Sequence, residues 1–170
     1  MIFETERCII KPISTDDKPD LFSMCDDINV WQYLGGSNTA EYHRKHIENL
    51  EALLSSVSNT DLSRWIIRNK INNVFLGYLC LDNHHDSDDD IQLSYMLLSN
   101  CWGNGYASEA AREIIRHAFN ERKLNRLFAE TQSANLASCK LLEKLGFYKI
   151  KELIRFNAEQ TLYAIDNPAL

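Results

Sequence analysis

The stretch Ile91-Gln92-Leu93-Ser94-Tyr95-Met96-Leu97-Leu98-Ser99-Asn100-Cys101-Trp102-Gly103-Asn104-Gly105-Tyr106-Ala107-Ser108-Glu109-Ala110 decides the fold, because two periodicities meet in it across a pair of glycines. Up to Leu98 the apolar residues Ile91, Leu93, Tyr95 and Leu97 recur at every second position, the spacing of a strand. Beyond the glycines, Ala107, Ala110, Ala111, Ile114, Ile115, Ala118 and Phe119 follow the 3-4-3 spacing that lays one apolar stripe along a helix. The order is strand, glycine loop, helix.

That junction is chemically distinctive. The first N–H groups of a helix lack intrahelical acceptors, and the helix dipole adds partial positive charge there, so an anion fits. Gly103 and Gly105 reach backbone angles closed to other residues and let a ligand oxygen approach the chain closely. A pyrophosphate is the natural occupant; a tight turn and nothing more is the alternative reading of an isolated G-x-G.

Working outward, residues 126–132 read as a further strand, which makes 91–132 a strand-helix-strand crossover and so a parallel pair. Before it the pattern predicts a strand near 7–13, a helix over 15–27 and a loop carrying Trp31, Tyr33, Leu34, Gly35 and Gly36. A second helix follows, opened by a capping-box-like Asn38 and Glu41 and marked by Ile47, Leu50, Leu54 and Val57. Strands at 64–70 and 74–82 flank a hairpin turn at Asn72-Asn73. After the crossover come a helix over 135–145, capped by Gly146, and strands near 147–155 and 160–166. The expected class is α+β, with a mixed, mostly antiparallel sheet.

At 170 residues and 45% hydrophobic content the chain has the size of one domain with a real core, here taken as residues 1–170. No apolar run approaches the roughly 20 residues that span a bilayer, and the start is acidic rather than basic, so a cytoplasmic protein without a membrane partner is expected. Five cysteines without C-x-x-C spacing imply reduced thiols rather than a disulfide framework or a zinc site. The net charge of −6 argues against nucleic acid as partner. It is unevenly spread: residues 1–99 carry net −8 and residues 100–170 net +2, which suits a phosphate-bearing ligand on the second part and a cationic amine near the first. His84, His85 and Asp86 with Asp88, Asp89 and Asp90 read as a solvated inter-strand loop rather than a metal cluster, and no metal is expected.

About 30 residues past the glycines stands Asn135-Leu136-Ala137-Ser138-Cys139-Lys140-Leu141-Leu142-Glu143-Lys144-Leu145-Gly146-Phe147. Together with Trp102-Gly-x-Gly-Tyr-Ala-Ser-Glu-Ala110 and the opening Glu4-Thr5-Glu6-Arg7-Cys8-Ile9-Ile10-Lys11-Pro12-Ile13, it closely resembles the GNAT acyl-CoA N-acyltransferase superfamily, in particular its RimJ/RimL-type branch. The resemblance implies a GNAT fold with helices on both faces of the sheet and a parallel strand pair that splays apart, commonly with a bulge in its first strand. It implies acetyl-CoA as co-substrate, its pantetheine meeting the backbone of Met96, Leu97 and Leu98 and its pyrophosphate meeting Gly103, Asn104, Gly105, Tyr106, Ala107 and Ser108. Trp102 stands where many relatives carry Gln or Arg. Asn135 is expected to bond the pantetheine amide, to cap the helix, or both. Lys140, Lys144 or Arg112 would reach the nucleotide phosphate.

The reaction implied is direct attack of an amine on the acetyl thioester in a ternary complex, which needs a base, an acid and a held geometry. The tyrosine acid of many relatives is absent, its position being Leu142, and Ser138 is the substitute, unless its hydroxyl merely bonds the helix backbone. Glu130 is the expected base, with Asp90 as a second choice. Trp31, Tyr33 and Tyr95 are expected at the acceptor, which is a small-molecule amine or a protein N-terminus; the chain is expected to be a monomer or homodimer. Two other readings stay open here: a non-catalytic acyl-CoA-binding regulator, and a dinucleotide-binding oxidoreductase, against which Ser108 in place of the third fingerprint glycine counts.

Overall fold

Eight strands build one mixed sheet, seen in a computed structural model that describes residues 1–34, 40–50, 52 and 63–169. The strands are β1 (Phe3–Glu4), β2 (Cys8–Pro12), β3 (Ser63–Asn69), β4 (Phe75–His84), β5 (Ser87–Leu97), β6 (Arg126–Gln132), β7 (Tyr148–Arg155) and β8 (Ala158–Asp166), in the spatial order β1-β2-β3-β4-β5-β6-β8-β7. Every neighbouring pair is antiparallel except β5 and β6, which run parallel and meet at a single position, Gln92 opposite Phe128. Beyond that contact the two strands part, as the splayed pair of the expected fold requires.

Helices cover both faces. On one side lie α4 (Tyr106–Asn120) and α5 (Leu136–Lys144); on the other lie α1 (Lys18–Asp26), the single-turn α2 (Ile28–Trp31) and α3 (Ala40–Glu48). The apolar stripe of α4 is buried against Ile10, Trp65, Leu79, Leu81, Leu93 and Leu127, and its Ala110, Ala111, Ile114 and Ala118 have no exposed surface. Truncating a side chain as buried as Ile114 to alanine costs about 2–5 kcal/mol, so this stripe anchors the helix whose first turn carries the glycine loop. The second face packs Leu21, Met24, Val30 and Leu50 onto Ile66 and Phe75.

Several expected elements shift. The N-terminal strand begins as a hairpin, because β1 pairs with β2 through Phe3 opposite Ile10. The helix over 15–27 is divided: Thr15–Asp17 is a 3-10 turn, α1 starts beside Pro19, and Asp27 ends it by capping α2 through the Asn29 amide at 3.2 Å. Gly35, Gly36, Asn38, Leu54 and Val57 lie outside the described residues. The segment from His84 to Asp90 is a tight hairpin rather than a loop, and its His85, Asp86 and Asp89 are exposed. β4 runs through His84, which is buried, and β5 starts at Ser87, leaving His85 and Asp86 as the turn; Arg155 neutralises Asp86 with two 2.8 Å hydrogen bonds. The bulge expected in the first parallel strand falls at this hairpin end, between Asn83 and His84, while pairing from Gly77 opposite Leu97 to Asn83 opposite Ile91 is regular.

Candidate active site

The glycine loop turns its amides outward. Gly103 and Gly105 have φ of 74° and 82°, angles that place a side chain under strain, and Gly105 is the left-handed residue immediately before α4. The first amide of this region to find a helical acceptor is that of Glu109, which donates to the Gly105 carbonyl at 3.0 Å. The amides of Gly103, Asn104, Gly105, Tyr106, Ala107 and Ser108 have no acceptor among the described residues. The Asn104 side chain folds back to donate to the carbonyls of Trp102 and Cys101 at 3.0 and 3.3 Å, so these two acceptors are satisfied within the loop while its backbone donors are not. The hydroxyl of Ser108, buried at the cavity wall, likewise lacks a partner. A row of free donors at a helix start is the electrostatic complement of a diphosphate.

A cavity of about 800 Å³ opens from this loop and continues between β5 and β6. Antiparallel ladders alternate hydrogen-bonded and non-bonded pairs, and the Leu98 amide donates to Leu76 of β4 at 2.9 Å. By that alternation Met96 and Leu98 turn their backbone groups to β4, and Leu97 turns its own to the gap. The expectation of three receiving residues therefore narrows to one. The indole of Trp102 donates to the Leu97 carbonyl at 2.9 Å, tying the glycine loop to the open strand. The side chain of Met96 joins the cavity wall and that of Leu98 packs on the second core.

Across the gap, Asn135 caps α5: its Oδ1 accepts from the Ser138 amide at 3.2 Å. The Ser138 hydroxyl is bonded not to backbone but to the Tyr95 hydroxyl at 2.8 Å. Burial pushes the Tyr95 phenol up to about 12, against the opposing effect of that hydrogen bond, so it stays protonated at neutral pH. Leu142, at the position of the missing tyrosine, is a core residue. A phenol nevertheless stands beside Ser138, supplied by β5 instead of by α5. Lys140 and Lys144 line the cavity, whereas Arg112 does not.

On the face of the sheet opposite α4 and α5, the cavity is walled by Tyr33, His43, Asp82, Gln92, Ser94 and Glu130. Arg155 Nε lies 3.2 Å from Glu130 Oε1, and His84 Nε2 lies 3.7 Å from Oε2, which accepts no hydrogen bond. Glu130 is thus oriented by one oxygen, and the other is buried without a hydrogen bond. Burial lowers the His43 pKa to about 4, leaving that imidazole neutral. Asp90 is not at the mouth of the gap: it precedes the Gln92–Phe128 contact, on the closed side, and lies off the cavity wall. Trp31 is off the wall too, because its indole donates to the Cys25 carbonyl at 3.0 Å and its ring lies against His43. Tyr95 points with Ser138 to the face of the sheet that α4 and α5 cover, away from the wall that Tyr33 shares with Glu130. Among the described residues no three His, Cys, Asp or Glu side chains gather as a metal set, and no helix is long and apolar enough to cross a membrane.

The sequence reading missed Thr5, Arg7 and Glu109. Arg7 Nη1 donates to the Asn104 carbonyl at 2.9 Å, and its Nε donates to Glu109 Oε2 at 2.8 Å. Nothing local marks these residues, since the turn that carries Arg7 and the helix that carries Glu109 are far apart in the chain.

The chain thus presents an α+β sheet with a splayed parallel pair, entered beside an anion cradle at a helix start. Residues 7–148 match the family described as acetyltransferase (GNAT) domain, and the chain belongs to this family of acetyltransferases. Among its relatives, the Bacillus subtilis protein YkkB is 27% identical over 161 residues, covering 94% of this chain and 92% of that one. The Bacillus subtilis N-acetyltransferase YoaA is 26% identical over 148 residues, with 87% and 83% covered. The fold matches the Vibrio fischeri ribosomal-protein-S5-alanine acetyltransferase with a TM-score of 0.79 at 19% identity, covering 99% of this chain and 97% of that one. It matches RimL, a ribosomal L7/L12 α-N-protein acetyltransferase solved in complex with coenzyme A, with a TM-score of 0.79 at 15% identity and 99% coverage of each.

Proposed function

We propose that the protein transfers the acetyl group of acetyl-CoA to a primary amine, on a small molecule or at a protein N-terminus, by direct attack with both substrates bound. The observation that carries this is the continuity of the cavity: free amides from Gly103 to Ser108, then the gap-facing amide of Leu97, then the Ser138–Tyr95 pair. The unpartnered Ser108 hydroxyl and the amide row fit a diphosphate, Leu97 fits an amide-bearing arm, and Lys140 and Lys144 fit a further phosphate. Acetyl-CoA supplies an activated acyl group and a thiolate leaving group.

The chain's own residues then divide the proton work. Glu130, on the cavity wall, takes a proton from the ammonium, while Arg155, 3.2 Å from its Oε1, keeps the carboxylate from rotating. Ser138, hydrogen-bonded to a phenol that remains protonated, delivers a proton toward the departing sulfur. Neutral His43 adds no cation to this wall, and the charge of Asp82 is matched by Arg64 at 2.7 Å.

The test follows acetyl-CoA-dependent thiol release across a panel of amines and peptide N-termini, with product mass rising by ~42 Da as acetyl replaces hydrogen. Turnover with any primary amine is expected. Stabilisation by NAD but not by CoA, or CoA binding without turnover of any acceptor, would overturn the proposal.

A further inference from the structure

We propose that Arg7 is a positioning residue for the donor, holding the glycine loop in its anion-receiving shape and neutralising Glu109 beside it. This rests on the reading of Gly103 to Ser108 as the diphosphate cradle. The turn between β1 and β2 reaches across to the loop and to the first turn of α4. Arg7 Nη1 takes the Asn104 carbonyl at 2.9 Å, while Nε and Nη2 grip Glu109 Oε2 at 2.8 and 2.7 Å. The other carboxylate oxygen, Oε1, accepts from the Arg7 amide at 2.8 Å and from the Thr5 hydroxyl. The guanidinium carbon lies 4.8 Å from the centroid of the Tyr106 ring.

Two physical consequences follow from this grip. In a trans peptide the C=O and N–H point in opposite directions, so pinning the Asn104 carbonyl on the Arg7 side sends the Gly105 amide to the other side, toward the cavity. Gly105 lets the guanidinium come this close: a Cβ there would stand 3.3 Å from Arg7 Nη2. The second consequence is electrostatic. Burial alone would raise the Glu109 carboxyl, but hydrogen bonds from Thr5 and from the Arg7 amide and guanidinium outweigh it and hold the pKa below the ordinary range, so Glu109 is an anion in the first turn of α4. Uncompensated, that anion would oppose a diphosphate at the same helix start. Arg7 cancels it, and its planar fork spans carbonyl and carboxylate together as a lysine ammonium does not.

The experiment measures CoA binding by calorimetry for wild type, Arg7→Met, Arg7→Lys, Glu109→Gln and the double variant Arg7→Met with Glu109→Gln. Turnover of acetyl-CoA is compared with that of S-acetyl-N-acetylcysteamine, a thioester lacking nucleotide and diphosphate. Arg7→Met should weaken CoA by about tenfold or more, Arg7→Lys by less, and the double variant should bind about threefold or more tighter than Arg7→Met because no lone carboxylate remains. KM for acetyl-CoA should rise with Kd while kcat moves by less than about threefold, and kcat/KM for the truncated donor should change by less than about threefold. CoA affinity of Arg7→Met within about twofold of wild type, no recovery in the double variant, or equal loss with both donors would overturn the proposal. If Arg7→Met fails to fold, Arg7→Lys and Glu109→Gln give the same comparison. Wild type that binds no CoA would instead overturn the donor reading itself.

Discussion

Replacing Gly77 by alanine tests how the open strand is held. Gly77 lies in β4 opposite Leu97, and the β3–β4 pairing slips beside it, between Ile67 and Arg68. A Cβ at Gly77 would stand 2.2 Å from the Met96 carbonyl oxygen, 2.7 Å from Leu97 Cα and 3.0 Å from Leu97 Cγ. Two of these three atoms are backbone and cannot swing away, so β5 must shift by about 1 Å to restore contact distance. Overpacking of this kind costs about 3 kcal/mol, which for a chain of this length lowers Tm by about 6–12 °C. Because the displaced residue is Leu97, CoA affinity should fall with stability. Gly103→Ala is the control: nothing lies within 4 Å of its Cβ, so only the left-handed φ of 74° resists, costing about 1–2 kcal/mol. Calorimetric unfolding and CoA titration of both variants read the difference. A Gly77→Ala protein melting within about 2 °C of wild type and binding CoA equally well would refute the close-approach argument.

Three further outcomes follow from the site. Ser138→Ala and Tyr95→Phe should each lower kcat by about 10²-fold with little change in Kd for CoA, and the double variant should lose little more, because the hydroxyls act as a unit; additive losses in a rate assay would contradict the pairing. Glu130→Gln should lower kcat/KM for the amine by about 10²–10⁴-fold, and an unchanged kcat/KM would exclude Glu130 as base. Burial holds His43 neutral with a pKa near 4 against 6.5 when unfolded, so the unfolded chain takes up the proton first; stability full above pH 6.5 declines as pH falls toward 4, by about 3 kcal/mol, and urea midpoints that stay flat from pH 7 to 5 would contradict this.

Much of the fold was legible because its patterns are local. The stripe of α4 and the alternation of β5 are each written in consecutive residues, and the glycines between them require a left-handed loop whatever surrounds it. The cap at Asn135 is local as well. What escaped was tertiary. The division of the helix at Asp27 answers to Ser99, whose amide donates to Asp27 Oδ2 at 2.7 Å from a distant loop. Trp31 has the composition of a pocket residue but is held elsewhere by the Cys25 carbonyl. Leu142 marks an absent phenol, and only the strand order places Tyr95 beside Ser138 in its stead. His84 looks solvated until Glu130 and Phe128 arrive from another strand to bury it. Arg7 reads as one surface cation among several until the sheet brings its turn against the loop.

The amides of Gly103 to Ser108 are the point on which the donor site depends. A crystal structure of the protein with CoA measures it directly: diphosphate oxygens should lie about 3 Å from at least two of the amides of Gly105, Tyr106, Ala107 and Ser108, with the pantetheine reaching Leu97. A diphosphate bound elsewhere, with these amides still lacking an acceptor, would contradict the account.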